Sequence, residues 1–208
     1  MGGLKNAKAE QEQSSYVKEV SETGYSYGQA LVIFVTQASI SLSLVSSALY
    51  CGYLYGKGIP VPREPLGIET NLAYALRCLF PLMVVQLFFI GRVGNTRFVS
   101  KAANPLSGND HLVQLQKNIS TNTLEQLVMF SIGLLSLSTL LGTQQELRFI
   151  PILCLLFIIA RFLFAIGYSI QPRYRAAGMS MNFLLLFFIV GAHMKLLYER
   201  GLLWELEL

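Results

Sequence analysis

Charge is scarce in this sequence. Of its 208 residues only 13% are Asp, Glu, Lys or Arg, roughly half the ~25% of an ordinary globular chain. A soluble protein of this size could not cover its surface with 16 basic and 12 acidic side chains crowded into short polar stretches. There are 3 cysteines and 2 histidines. Cys51, Cys78 and Cys154 all fall in apolar runs, with neither the even count of a disulfide framework nor metal-ligand spacing, so packing is their reading. His111 and His193 are isolated, which fits hydrogen-bonded structural residues better than ligands. Phosphate loops, nucleophile elbows and paired catalytic carboxylates are missing. The net charge of +4 forms no basic stripe, which argues against nucleic acid as a partner. A soluble enzyme, a disordered tail protein and a disulfide scaffold are excluded.

What is present is apolar length. Hydrophobic residues make up 53% of the chain, and mean hydropathy is +0.49. Five segments approach the roughly 20 residues that a bilayer core requires: Ala30–Tyr55, Asn71–Gly91, Asn122–Leu141, Phe149–Ile170 and Gly178–Tyr198. None alternates in polarity as a barrel strand would, so each is expected to be a helix that satisfies its own backbone in lipid. The expectation is an all-α membrane protein with five spans.

Lysine and arginine set the expected orientation. With a cytosolic N-terminus, Lys5, Lys8, Lys18, Arg92, Arg97, Lys101, Lys117, Arg173 and Arg175 lie on the cytosolic side. Only Lys57, Arg63, Arg148 and Arg200 lie opposite, which favours N-in, C-out. Residues 1–28 read as a polar cytosolic segment without a cleavable signal, and the first span as an uncleaved anchor. Met1-Gly2-Gly3 lacks the Ser or Thr at position 6 that myristoylation needs. Residues 142–148 and 171–177 are tight links between antiparallel neighbours. The longer segment 92–121 holds a turn cluster, Asn104–Asn109, after which Asp110 is placed to cap a helix leading into the third span.

Polar groups at membrane depth need a partner or a purpose. Arg77 and Lys195 lie close enough to span ends to snorkel. Glu125 and Arg161 do not. Asn118, Asn122 and Glu125 share one face of the third helix, and Arg161, Phe164 and Tyr168 one face of the fourth. Two readings follow. Glu125 and Arg161 form a buried ion pair between antiparallel helices, the commoner outcome, or the two faces form an anion-accepting pocket beneath Arg173 and Arg175. If they pair, Glu125→Gln or Arg161→Met alone strands a charge and the double mutant recovers part of the loss.

Asn122-Thr123-Leu124-Glu125-Gln126 resembles the Asn-x-x-Glu signature of the MAPEG superfamily, the membrane-associated proteins in eicosanoid and glutathione metabolism. Ala160-Arg161-Phe162-Leu163-Phe164-Ala165-Ile166-Gly167-Tyr168 is similar to that family's next helix, with its Arg-x-x-Tyr-x-x-x-Tyr pattern and a following basic residue, here Arg173 or Arg175. The likeness covers a four-helix bundle over 71–200, leaving an extra transmembrane helix over 29–56 and a short tail over 201–208. Tyr74–Cys78, Ser138–Phe164 and Tyr174–Phe183 resemble the mattrin-like branch, which carries such an extra helix.

The resemblance implies a homotrimer with glutathione, where it binds, at a cytosol-facing subunit interface. It assigns Asn122, Glu125, Arg161 and Arg173 to cofactor binding and Tyr168 and Arg175 to catalysis, the arginine stabilising a glutathione thiolate by its charge. Two positions depart from the pattern. Asn118 stands where the family has arginine, and Phe164 where it has the first tyrosine. Each lost charge-assisted hydrogen bond removes about 1.5–3 kcal/mol of ligand binding. The function expected is therefore a multi-pass protein of endoplasmic reticulum, Golgi and endolysosomal membranes that acts through membrane-protein partners. The alternative is a glutathione-dependent transferase or peroxidase for a lipophilic substrate. The serine stripe Ser39, Ser43 and Ser47 on the first helix is expected to pack on the chain's own bundle.

Overall fold

The structure, a computed structural model, describes residues 27–62, 67–100 and 109–201. Most of the expected polar N-terminal segment, the turn cluster before Asn109 and the tail after Gly201 lie outside the described residues. All the regular structure among the described residues is helical. Five long helices run α1 Tyr27–Tyr55, α2 Ile68–Val99, α3 Gln114–Ser138, α5 Phe149–Ile170 and α6 Ala176–Arg200, with the one-turn α4 Gln144–Leu147 before α5. The chain divides into two units, Met1–Val35 and Thr36–Leu208, and the second holds the bundle with the later turns of α1.

Four stretches are long and apolar enough to cross a bilayer: Leu31–Gly58, Ile68–Val99, Gln144–Ile170 and Ala176–Arg200. α3 falls short of that hydropathy, although its 25 residues would span about 37 Å at 1.5 Å each. Its first half carries the polar residues, and Ser120, Thr123 and Gln126 are turned inward and buried. α3 packs against α2, α5 and α6, so part of its polarity is turned into the bundle, while Lys117, Thr121 and Glu125 stay exposed. This is an integral multi-pass membrane protein.

Local chemistry sets the helix ends. Thr143 and Glu146 form a reciprocal capping box that opens α4. Gly201, at φ 84°, closes α6 with its N–H on the Leu197 carbonyl, a positive φ that glycine adopts without steric cost. Asp110 does not cap the next helix as expected. It opens a one-turn 3-10 segment, Asp110–Val113, without a capping bond from Asn109, and its carboxylate meets Arg97 at 3.3 Å and Lys117 at 4.0 Å. Two cations nearby outcompete one backbone N–H for the carboxylate.

The core sits where α2, α3, α5 and α6 meet. Leu82, Phe130, Leu134, Phe157 and Leu185 are buried there, and the Phe130 and Phe157 rings lie 4.6 Å apart. α5 and α6 cross closely because Gly178 has no side chain. A Cβ on it would fall on the backbone of Ala160 and Phe164. From α1, Ser41 and Val45 are buried, and the Ser41 hydroxyl bridges the carbonyls of Gln37 and Ala177 at 2.9 Å each.

This corrects the expected role of the serine stripe. Ser39, Ser43 and Ser47 are all exposed. The Ser43 and Ser47 hydroxyls close on their own helix, at Ser39 and Leu44 carbonyls. The face turned to the bundle is Ser41, Val45, Ala48, Leu49 and Gly52.

Candidate functional site

Arg161 organises the polar region between α3 and α5. Its side chain is completely buried, at 0% exposure. Nη1 donates to Asn122 Oδ1 at 3.1 Å. The guanidinium carbon lies 5.5 Å from the Phe157 ring and 5.2 Å from the Phe164 ring. Each aromatic face offers a cation partial compensation. Phe164, the departure from the family's tyrosine, thus serves as a wall for the arginine. Nε and Nη2 are buried without a hydrogen-bond partner among the described residues.

Glu125 does not meet Arg161, and the expected ion pair is absent among the described residues. The carboxylate is exposed. The reason is angular. At 3.6 residues per turn, positions three apart point about 60° away from each other. Asn122 faces α5, and Glu125 is carried past the helix contact onto the outer surface.

A second cluster lies two turns along α5. Tyr168 is half-buried. Its hydroxyl accepts from Asn118 Nδ2 at 3.3 Å, and Arg175 stacks over its ring at 5.2 Å. Asn118 Oδ1 in turn accepts from Gln114 at 2.8 Å. Asn118 therefore fills one acceptor position of the tyrosine hydroxyl and leaves its O–H proton to donate elsewhere. Arg175 is exposed, and Arg173 is half-buried. The structure brings Asn122 to Arg161 and Arg175 to Tyr168, and leaves Glu125 apart.

Among the described residues, clefts of about 320, 500 and 380 Å³ open between the helices, and none of these is lined by Asn122, Glu125, Arg161, Tyr168, Arg173 or Arg175. Sequence reasoning missed several buried polar contacts, among them Asn71 Nδ2 to the Leu141 carbonyl, Gln86 Nε2 to the Ser120 carbonyl, and Asn182 Nδ2 to Gln126 Oε1 between α6 and α3. The signal was there: Asn182 is a lone amide in an apolar run, and such a group in lipid seeks a partner on another helix. Among the described residues, no cluster of three His, Cys, Asp or Glu could hold a metal.

The MAPEG family model matches residues 75–194. The chain belongs to the MAPEG family. Within it, the chain is similar to transmembrane protein 79 (mattrin) of Bos taurus, 25% identical over 154 residues that cover 72% of this chain and 37% of that protein. The Mus musculus protein of the same name is 24% identical over 161 residues, covering 76% of this chain and 39% of its own length. The matched region is thus well under half the length of these curated relatives. No solved structure matches this MAPEG chain. The matched region spans α2 through most of α6 and includes both polar clusters.

Proposed function

We propose that this MAPEG chain is a non-catalytic, five-span, N-in/C-out membrane protein of the secretory and endolysosomal system that acts through protein partners within the bilayer. The observation that carries the reading is the state of Arg161. It is wholly buried, held by Asn122 and flanked by two phenylalanine rings, a clamp between helices more than a ligand-facing group. Support also comes from α1, whose Ser43 and Ser47 face outward. Small residues on an outward face let another helix approach closely.

The test is affinity capture from crosslinked membranes, comparing wild type with Ser43→Leu/Ser47→Leu. A partner lost from the variant, with the chain's own assembly retained, is expected. Recovery of nothing beyond the chain itself contradicts the proposal.

A second reading keeps the family's glutathione chemistry, with Asn122, Glu125, Arg161 and Arg173 binding and Tyr168 and Arg175 acting, at the subunit interface of a homotrimer. The exposed Glu125 and Arg175 favour it, since charged groups turned outward are available to a neighbouring subunit. Crosslinking the purified protein to saturation distinguishes a trimer from smaller assemblies.

A further inference from the structure

From the 320 Å³ cleft between α2, α3 and α5 we infer a binding site for one anionic phospholipid, an acyl chain lying in the cleft and the phosphate meeting Arg92. The walls are apolar and aromatic: Phe88, Phe89, Phe162 and Ile166 with Ile119 and Ile170. The three rings are mutually packed, at centroid distances of 5.4, 6.0 and 5.7 Å, so the slot is preformed by ring contacts. Phe88, Phe162 and Ile166 are each partly exposed on the outer surface of the bundle, where a membrane protein meets lipid tails.

Arg92 lines one end of the cleft together with Gln116. α2 has 32 residues, about 48 Å at 1.5 Å per residue, longer than the ~30 Å hydrocarbon core. Arg92, seven residues before its end, is at headgroup depth. Its charge is also available. The neighbouring cations Arg97 and Lys117 converge on Asp110, whereas exposed Arg92 meets no carboxylate among the described residues. Arg92, Arg97 and Lys117 against Asp110 leave two positive charges at this end. The intervening residues 101–108 add only Lys101 to the ionisable groups. A guanidinium above an apolar slot matches a phosphate carried on an acyl chain, with bidentate hydrogen bonding available to the phosphate.

The purified full chain tests this with dioctanoyl phosphatidic acid, dioctanoyl phosphatidylcholine and glycerol 3-phosphate as probes. Phosphatidic acid should bind about tenfold or more tightly than the choline lipid, a charge-assisted bond being of that order. Arg92→Gln should abolish the preference, weakening phosphatidic acid far more than the choline lipid, whose phosphodiester carries a smaller net negative charge, and Arg92→Lys should retain most of it. Ile166→Trp, filling the slot at an exposed position, should weaken both lipids. Glycerol 3-phosphate should not compete at concentrations where the lipid saturates. An anionic preference that survives Arg92→Gln, equal competition by glycerol 3-phosphate, or indifference to Ile166→Trp would each overturn the inference.

Discussion

At the scale of residues, Arg161 makes its polar contact with an amide, and that changes what substitution should do. Asn122→Leu removes the guanidinium's hydrogen-bond acceptor within the bundle, and should lower detergent stability by about 1–3 kcal/mol, the cost of stranding a buried donor. Glu125→Gln alters an exposed side chain and should stay within about 0.5 kcal/mol. In a double-mutant cycle Glu125→Gln and Arg161→Met should be additive, whereas Asn122→Leu and Arg161→Met should couple. Chemical-denaturation midpoints of the three single and two double mutants decide this. Residue spacing placed Asn122 and Glu125 on one face of α3 and Arg161 and Tyr168 on one face of α5. It did not show which would touch, because helix rotation of some tens of degrees moves a side chain from the contact to the surface. Nor does a residue pattern reveal that Asn118, read as a lost arginine, bonds the Tyr168 hydroxyl instead.

At the scale of elements, hydropathy located the helices better than it bounded them. Phe149–Ile170 is the helix expected, while α2 continues to Val99, eight residues beyond the apolar segment that ended at Gly91. Apolarity reports what lies in lipid, and the backbone hydrogen-bond ladder continues into the polar stretch carrying Arg92 and Arg97. The α5–α6 crossing was not legible, since nothing in the sequence distinguishes Gly178 from Gly191. The structure does: a Cβ on Gly178 meets the α5 backbone, and one on Gly191 meets nothing within 4 Å. Gly178→Ala should therefore destabilise by about 1–3 kcal/mol through forced separation of the helices. Gly191→Ala should be neutral or stabilising by up to about 1 kcal/mol, from the helix propensity of alanine. Thermal unfolding of the two variants in one detergent checks the contrast. At the far end of the bundle, Arg200 bonds the Leu140 carbonyl and pairs with Glu146 at 2.7 Å, closing α6 onto the α3–α4 turn. Arg200→Met should cost about 1 kcal/mol, discounted because both side chains are partly exposed, and should raise amide exchange first around residues 140–147.

At the scale of the whole molecule, the chain combines a MAPEG bundle with a preceding helix, α1, that docks through Ser41 and Val45 and turns Ser43 and Ser47 outward. Of the family's polar residues retained in sequence, Asn122 bonds Arg161 and Arg175 stacks on Tyr168, while Glu125 stands apart and Asn118, a departure from the pattern, bonds the Tyr168 hydroxyl. The most direct measurement is the thermal midpoint of the purified full chain across a glutathione titration into the millimolar range. Binding at 100 times a dissociation constant would add about 2.7 kcal/mol of stability. The account predicts no shift for the wild type. A saturating rise in midpoint that Arg175→Ala or Glu125→Ala abolishes would contradict it and establish a glutathione site.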